Sequence, residues 1–551
     1  MSPGKGEGRA RSLSLTSSHS AARCRLRSTR PSRSGPRARP WMRGLKAIIT
    51  LLPNVFQYSR LLPFACTDFP PRSEGASVRG RVSMLRVRFG SSSRCLSLSR
   101  GVRLRREHFG GIVFDTQRGT TLEIDGEAMA LLSMIGVQGV VREESIFAGT
   151  AGAKSPARSG RQCAEVIGTL LELGILERPS PSDLAMRGTC RSADVVKRFQ
   201  RRAVSWPARP GLSAPETVHW AITYRCDARC PDCYARRNSR QSAGELDTRD
   251  ALHVVDALAE WGVLQLAIGG GEPLLRQDLP MLAEHARRHG LVVHVTTGCR
   301  QLPLGMLKDL SRGVTVLQIG IQHDGLLQNA ETETVLLSQL VHVAEDQGLR
   351  VGANLMLSNT VLANFERLIA RLARVGIKSI TLLRYKPPAE PARWRRENPS
   401  REAMGVFEQL LPEVTARHPE TAFRIDCAAS FLQRRLPRKV ARFRGIRGCV
   451  AADRILALSP DGGIFPCSQL IYPDLKAGNI LNDDPGAVWS FSAAMRRYRF
   501  FREGCGFRES ECDTCVARSH CGGCRVFARD AWGAEPECPG GRRLKRTEVL
   551  P

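Results

Sequence analysis

Residues 218–234 read VHWAITYRCDARCPDCY. An apolar, β-rich run ends in a loop carrying Cys226, Cys230 and Cys233 in C-x-x-x-C-x-x-C spacing. The pattern predicts a buried strand that delivers three thiols at its C-terminal end. Three thiolates on one short loop can hold three irons of a four-iron cluster and leave the fourth iron open to an exchangeable ligand. A disulfide leaves one of the three cysteines over, and a structural zinc site asks for a fourth Cys or His nearby.

Beyond this loop, strand and helix patterns alternate. The strands are LQLAIG (264–269), LVVHVTT (291–297), VTVLQIGI (314–321), RVGANLML (350–357) and SITLLRY (379–385). Helical patterns lie over Thr248–Trp261, Leu279–His289, Leu304–Leu310, after Glu331 and over Asn364–Val375. Six strand–helix repeats predict an α/β fold, a partial (β/α)6 TIM-like barrel with its chemistry at the C-terminal strand ends. The second strand ends in Gly269, Gly270, Gly271, Glu272 and Pro273. Such glycines let backbone approach a ligand, and Glu272 can accept hydrogen bonds from an ammonium group.

The cysteine loop is the defining motif of the radical S-adenosylmethionine superfamily, which this region resembles, and GGGEP looks like that family's GGE segment. The resemblance implies that Cys226, Cys230 and Cys233 ligate a 4Fe-4S cluster whose open iron binds the methionine moiety of S-adenosylmethionine. It also implies that Gly269, Gly270, Gly271 and Glu272 face the cofactor, and that a 5′-deoxyadenosyl radical abstracts hydrogen from substrate. Two positions depart from the pattern. Asp232 stands where relatives carry an aromatic residue, with Tyr234 following, and Gln322 replaces Ser in the segment IQHDG. Gln322 and Asp324 are candidate cofactor or substrate contacts, although a strand-ending turn also explains Asp324. Thr297 and Gly298 are weaker candidates by position. Arg384 and Lys386 could face substrate, but a solvated cationic loop accounts for them better.

The last hundred residues hold Cys449, Gly462, Cys467, Cys505, Cys512, Cys515, Cys521, Cys524 and Cys538. Two C-x-x-C pairs alone equally fit a zinc ribbon. In this order they are similar to the SPASM extension of radical enzymes. The resemblance implies one or two auxiliary iron–sulfur clusters, the first on Cys449, Cys467 and Cys524, the second on Cys512, Cys515, Cys521 and Cys538. Cys427, Cys505 or an open site could complete the first. Only two residues separate Cys521 from Cys524, where the family usually has three. Cys24, Cys66, Cys95, Cys163, Cys190 and Cys299 read as buried or incidental thiols.

Upstream, residues 102–135 suggest three strands and then a helix carrying Ala128, Leu131, Leu132 and Ile135, and CAEVIGTLLELGILE adds a second helix ending at Gly174. This winged-helix-like α+β pattern resembles the peptide-recognition domain typified by the chaperone of the pyrroloquinoline-quinone pathway, which implies that it holds the leader of a ribosomally made precursor peptide. A strand edge beside a helix can accept an extended peptide as one more strand. A winged-helix DNA binder or a structural cap is the plainer alternative.

The expected organisation is therefore a basic extension (1–83), a recognition module (84–180), a linker (181–214), the core barrel (215–425) and a cysteine-rich auxiliary domain (426–551). The net charge of +29 is uneven, since residues 1–83 hold 16 Lys and Arg against 3 Asp and Glu. That Arg-, Ser- and Pro-rich segment has no helical or strand period, and reads as a disordered tail, an untranslated stretch ahead of Met84, or a targeting peptide. With aromatics at 6% and no basic run interleaved with them, a nucleic-acid partner is not expected. No stretch is long and apolar enough for a membrane helix. Eighteen clustered cysteines in a chain of 551 residues point to metal in a reducing, cytoplasmic setting. The resemblance implies a peptide-modifying oxidoreductase that forms a cross-link or an oxidised residue, served by an electron donor such as flavodoxin or ferredoxin. The alternatives are a sulfatase-type maturase acting on a protein Cys or Ser, and a zinc-stabilised, non-catalytic peptide-binding protein.

Overall fold

The computed structural model describes residues 50–52, 95–117, 119–148, 156–180, 211–228, 230, 233, 235, 244–298, 304–321, 330–386, 391–435, 447–528 and 533–539. Expectations for Asp232, Tyr234, Cys24, Cys66, Cys190, Cys299, Gln322, Asp324 and most of residues 1–94 fall outside these.

The N-terminal module begins with β1 (Thr50–Leu52) and β2 (Cys95–Leu98), followed by an antiparallel meander of β3 (Val102–Glu107), β4 (Gly110–Asp115) and β5 (Thr120–Asp125). β1 pairs antiparallel with the outer edge of β5. Asp125 caps α1 (Gly126–Gln138) by accepting from the Ala128 N–H at 2.9 Å. β6 (Val141–Arg142), α2 (Glu143–Ala148), α3 (Pro156–Glu172) and β7 (Leu176–Glu177) complete the module, with β2 lying between β6 and β7. Alternation along β4 sets its two faces. Val113 joins Leu122, Leu132 and Ile135 in the module's own core, while Ile112 and Phe114 pack on Leu212, Leu264 and Val292. The end of the expected linker is thus a packed strap. Leu212 and Ala214 are buried, and Trp489 donates to Leu212 O at 2.8 Å.

The core is a parallel run of seven strands, one more than the sequence pattern suggests: β8 (Thr217–Thr223), β9 (Gln265–Gly270), β10 (Val292–Thr297), β11 (Val314–Gly320), β12 (Arg350–Leu357), β13 (Ser379–Arg384) and β14 (Ala422–Ile425). Helices cover their outer face, among them α4 (Thr248–Trp261), α5 (Leu279–Arg288), α6 (Leu304–Ser311), α7 (Ala330–Asp346), α8 (Asn359–Ala363) and α9 (Phe365–Arg374). In α9, Phe365, Leu368, Ile369 and Leu372 are buried at helical spacing. α10 (Pro391–Glu397) and α11 (Arg401–Arg417) precede β14. The C-terminal segment continues the same sheet rather than starting a new one. β15 (Ile455–Leu458) pairs parallel with β8, and β16 (Gly463–Phe465) and β17 (Gly478–Asn479) follow antiparallel.

The sheet curls. Lys386, just past β13, and Asp426, just past β14, act electrostatically on His219 of β8. In a flat sheet β8 and β13 would be about 24 Å apart. The trough is polar inside. Gln265, Gln318 and Thr381 are buried with side-chain atoms that have no protein partner, and burial, reinforced by Lys386, pushes His219 down to about 4 and keeps it neutral. Among the described residues, no helix is long and apolar enough to cross a membrane.

Candidate functional site

The loop after β8 is clamped from two sides. Gly271 N–H donates to Thr223 O (2.8 Å) and Glu272 N–H to Arg225 O (2.9 Å), carrying the β8–β9 pairing up to the residue before Cys226. From the other side, Glu245 accepts a short hydrogen bond from the Thr223 hydroxyl and pairs with Arg225 at 3.4 Å. Within the loop, Cys233 N–H donates to Cys230 O at 3.4 Å, closing a turn. Cys226 is exposed, and Cys230 and Cys233 are half-buried. Burial pushes the Cys226 thiol up despite the backbone hydrogen bond it receives from Ala228, and nearby Cys233, Glu272 and Cys230 push it further. Three thiols and a carboxyl gathered in this way suit a cation, which favours the thiolate forms.

The glycine segment divides by role. Gly270 has φ +123°, and a Cβ there would overlap Thr223 O; a Cβ at Gly271 would overlap Arg225 O. Both are required by the close approach of β9 to the backbone of the cysteine loop. Gly269 alone of the three has open space where a Cβ would stand. Glu272 is buried and accepts from Leu274 N–H (3.1 Å), the Thr297 hydroxyl (2.8 Å) and Gly298 N–H (3.0 Å). A carboxylate offers about four lone-pair directions, so one remains for a ligand's ammonium group. Thr297 and Gly298 are thereby tied to the site through Glu272. Burial raises the Glu272 carboxyl above the ordinary range, against the three hydrogen bonds that lower it.

Glu272→Gln is expected to weaken S-adenosylmethionine binding about tenfold, the worth of one charge-assisted hydrogen bond. In the unaltered chain, binding should fall with decreasing pH from above the usual carboxylate range, because protonation removes the acceptor and the folded pKa is raised. Equilibrium dialysis of the cofactor across a pH series checks both.

The C-terminal cysteines gather in two sets. Burial pushes Cys524 up to about 12, aided by Cys449 and Cys467, and Cys467 up to about 11, aided by Cys449. Cys427 belongs with them: after burial and Asp426, its neighbours are Cys449, Cys524 and Cys467. Cys512 rises to about 11 through burial and Cys521, and Cys521 also bears on Cys515. Between the sets, Gly448 (φ +69°) lies so close to Cys521 O that a Cβ would overlap it, which brings the backbone of Cys449 against that of Cys521. Cys505 is exposed and Cys538 half-buried; Cys95 is buried and Cys163 half-buried in the module.

The solvated-loop reading of Arg384 and Lys386 is corrected. Arg384 is 4% exposed, pairs with Glu535 and, at 2.7 Å, with Glu537, and stacks on Phe527 with 3.8 Å to the ring centroid. Glu535 in turn accepts from Cys524 N–H at 3.1 Å, and its carbonyl accepts from Cys538 N–H at 3.1 Å. Arg384 therefore fastens the end of β13 to the last cysteine segment. Lys386 pairs with Asp426 at 3.5 Å, and both are largely buried. Glu245, Glu535 and Glu537 escape a reading of the sequence because their partners are distant in the chain. Cys427, one of the possibilities the sequence left open for completing the first set, lies just past β14, as Cys226 lies just past β8.

Comparison with known proteins gives the class first: residues 220–325 match the model of the Radical SAM superfamily. The chain carries a Radical SAM domain, and its chemistry is that of a radical S-adenosylmethionine enzyme using a 4Fe-4S cluster and S-adenosylmethionine. It is 26% identical over 355 residues to an AdoMet-dependent heme synthase of Methanosarcina barkeri, covering 59% of this chain and 97% of that protein. It is likewise 26% identical over 348 residues to a PqqA peptide cyclase of Streptomyces rochei, covering 60% of this chain and 91% of that one. In fold it is similar to Streptococcus suis SuiB bound to precursor peptide SuiA, with TM-score 0.58 and 15% identity over 80% of this chain and 99% of that one.

Proposed function

We propose that the chain is a peptide maturase, with the module before residue 181 as its leader-holding part and the segment after residue 425 as a SPASM-type auxiliary domain. One observation carries this reading over a small-molecule or heme substrate. Residues 215–551 are 337 of 551, about 61%. The fold likeness to SuiB covers 80% of the chain, so it extends into the residues before the barrel. The outer edge of β5 takes an extended segment as an antiparallel strand, here Thr50–Leu52 of the chain itself, and a leader would use the same main-chain bonds.

When bound, the 4Fe-4S cluster and S-adenosylmethionine supply a 5′-deoxyadenosyl radical. Cys226, Cys230 and Cys233 hold the cluster, and Glu272 orients the cofactor's ammonium group. The polar trough, with Gln318 and neutral His219, can fix peptide groups by hydrogen bonds and so choose which C–H lies nearest. Cys427, Cys449, Cys467 and Cys524, and separately Cys512, Cys515, Cys521 and Cys538, would hold the auxiliary clusters. A cross-link removes two hydrogens from the peptide, one as the abstracted atom and the other as a proton; the electron released balances the one that a flavodoxin- or ferredoxin-like donor would supply for cofactor cleavage, and an auxiliary cluster on these cysteines would be able to accept it.

The module packs at the N-terminal ends of β9 and β10, opposite the cysteine loop. A bound peptide must therefore run roughly 20 Å, the rise of a six-residue strand, before reaching the site. Coexpression with the short peptides encoded beside its gene tests the proposal. The expected result is a peptide lighter by two hydrogens, with product lost when the leader is removed. Formation of 5′-deoxyadenosine with every such peptide left unaltered would overturn it.

A further inference from the structure

Far from the cysteine loop, α4 and α5 bring together three side chains that neither the fold nor the radical chemistry uses. The ligand atoms of Asp256, His285 and His289 all lie within 4.8 Å of one another. His285 and His289 are one helical turn apart, with ring centroids 4.3 Å from each other and the rings tilted by 43°. His285 Nε2 is 2.6 Å, and His289 Nε2 3.6 Å, from Asp256 Oδ1. We infer that these residues form a binding site for a divalent transition ion of borderline softness, zinc in the first instance.

Two features favour a metal over a plain His–Asp pair. His289 Nδ1 lies 3.0 Å from His285 O, so it carries the proton and donates it to that carbonyl. This fixes the tautomer and leaves the Nε2 lone pair facing Asp256, the outer-sphere arrangement that metal-binding histidines use. Second, both Nε2 atoms converge on one carboxylate oxygen, whereas an ion pair needs only one. Binding replaces the His285 Nε2–H···Oδ1 bond, and that proton leaves to solvent or moves to Nδ1. Two imidazoles and a carboxylate leave a fourth tetrahedral position to water. The neighbouring cations are engaged elsewhere: Arg288 pairs with Glu284, and Arg287 reaches the carbonyls of Ser311 and Arg312.

The place suggests the use. The C-terminal ends of α4 and α5 are where the module docks. Arg105 donates to Gly262 O at 2.8 Å, and the Arg103 guanidinium lies on Gly290, next to His289. An ion here clasps α4 to α5 beneath that seam.

The test uses untagged, full-length protein with its iron–sulfur content reconstituted. It is dialysed against micromolar zinc, with zinc and iron both counted and the zinc environment read by X-ray absorption. The expected result is one zinc with nitrogen and oxygen neighbours at about 2.0–2.1 Å, and unchanged iron. His285→Ala with His289→Ala, and separately Asp256→Asn, should weaken it at least about tenfold. These side chains are 27–45% exposed, so the variants should fold and retain iron and cofactor cleavage. Zinc surrounded only by sulfur at about 2.3 Å, or binding indifferent to these substitutions, would overturn the proposal.

Discussion

Replacing Cys226, Cys230 and Cys233 together by Ala is expected to remove about four irons per chain and to abolish 5′-deoxyadenosine formation. The loop should survive the change. Cys226 is exposed and its partners are half-buried, so truncation opens no core cavity. The supports of the loop lie outside the three side chains: the Glu245 clamp on Thr223 and Arg225, and the two backbone bonds from Gly271 and Glu272. Surface changes of this kind move stability by roughly 0.5 kcal/mol or less. Activity and stability of the chain itself are therefore predicted to separate, with total loss of cofactor cleavage and, when both proteins are compared free of iron, an almost unchanged urea midpoint. Iron that stays constant in the triple variant would place the metal elsewhere. Zinc in place of iron in the unaltered chain would leave only a metal-held binding protein.

Much of this was legible in the sequence, for identifiable reasons. Strands β8–β13 alternate apolar residues on the helix-covered face, such as Val218, Trp220 and Ile222 or Leu355 and Leu357, with the residues of the trough, and that period of two shows in the sequence. β14 was not legible. Its four residues, AFRI, include the buried Arg424, which breaks any apolar pattern. β15, ILAL, was not picked out either, and its place beside β8 is a pairing across more than 200 residues, for which a single sequence carries no local sign. The cysteine spacing and GGGE were visible because their geometry is local. The reason for two of those glycines was not, since it lies in the backbone of β8 and its loop. Arg384 failed for the same cause: its carboxylate partner Glu537 is 153 residues away, so the segment read as a cationic loop.

Arg454→Ala is expected to cost about 3–5 kcal/mol, a large part of the total stability of a typical domain. Arg454 is 6% exposed and stands where module, barrel and C-terminal segment meet. It pairs with Glu216 at 2.7 Å, with Glu123 of β5 by a short contact, and its carbonyl accepts from Glu216 N–H at 2.8 Å. Burial works against its charge, but Glu216, Asp453 and Glu123 outweigh that cost and raise its pKa. Truncation removes the 2.7 Å partner of fully buried Glu216 and leaves it the charges of Arg105 and Arg447, and this loss of compensation carries most of the penalty. Glu123 suffers less, because Arg447 still reaches it at 2.6 Å and it is 15% exposed. Glu216→Gln in the Arg454→Ala background should therefore recover most of the loss, and Glu123→Gln little of it. Urea denaturation of the three variants beside the unaltered chain ranks them, and hydrogen exchange over residues 102–125 reports whether the module loosens first. Equal rescue by the two glutamines would show that the buried charge at Glu216 is not the dominant cost, and that the three-way junction is held by packing of Ile112 and Phe114 against Leu264 and Val292 instead.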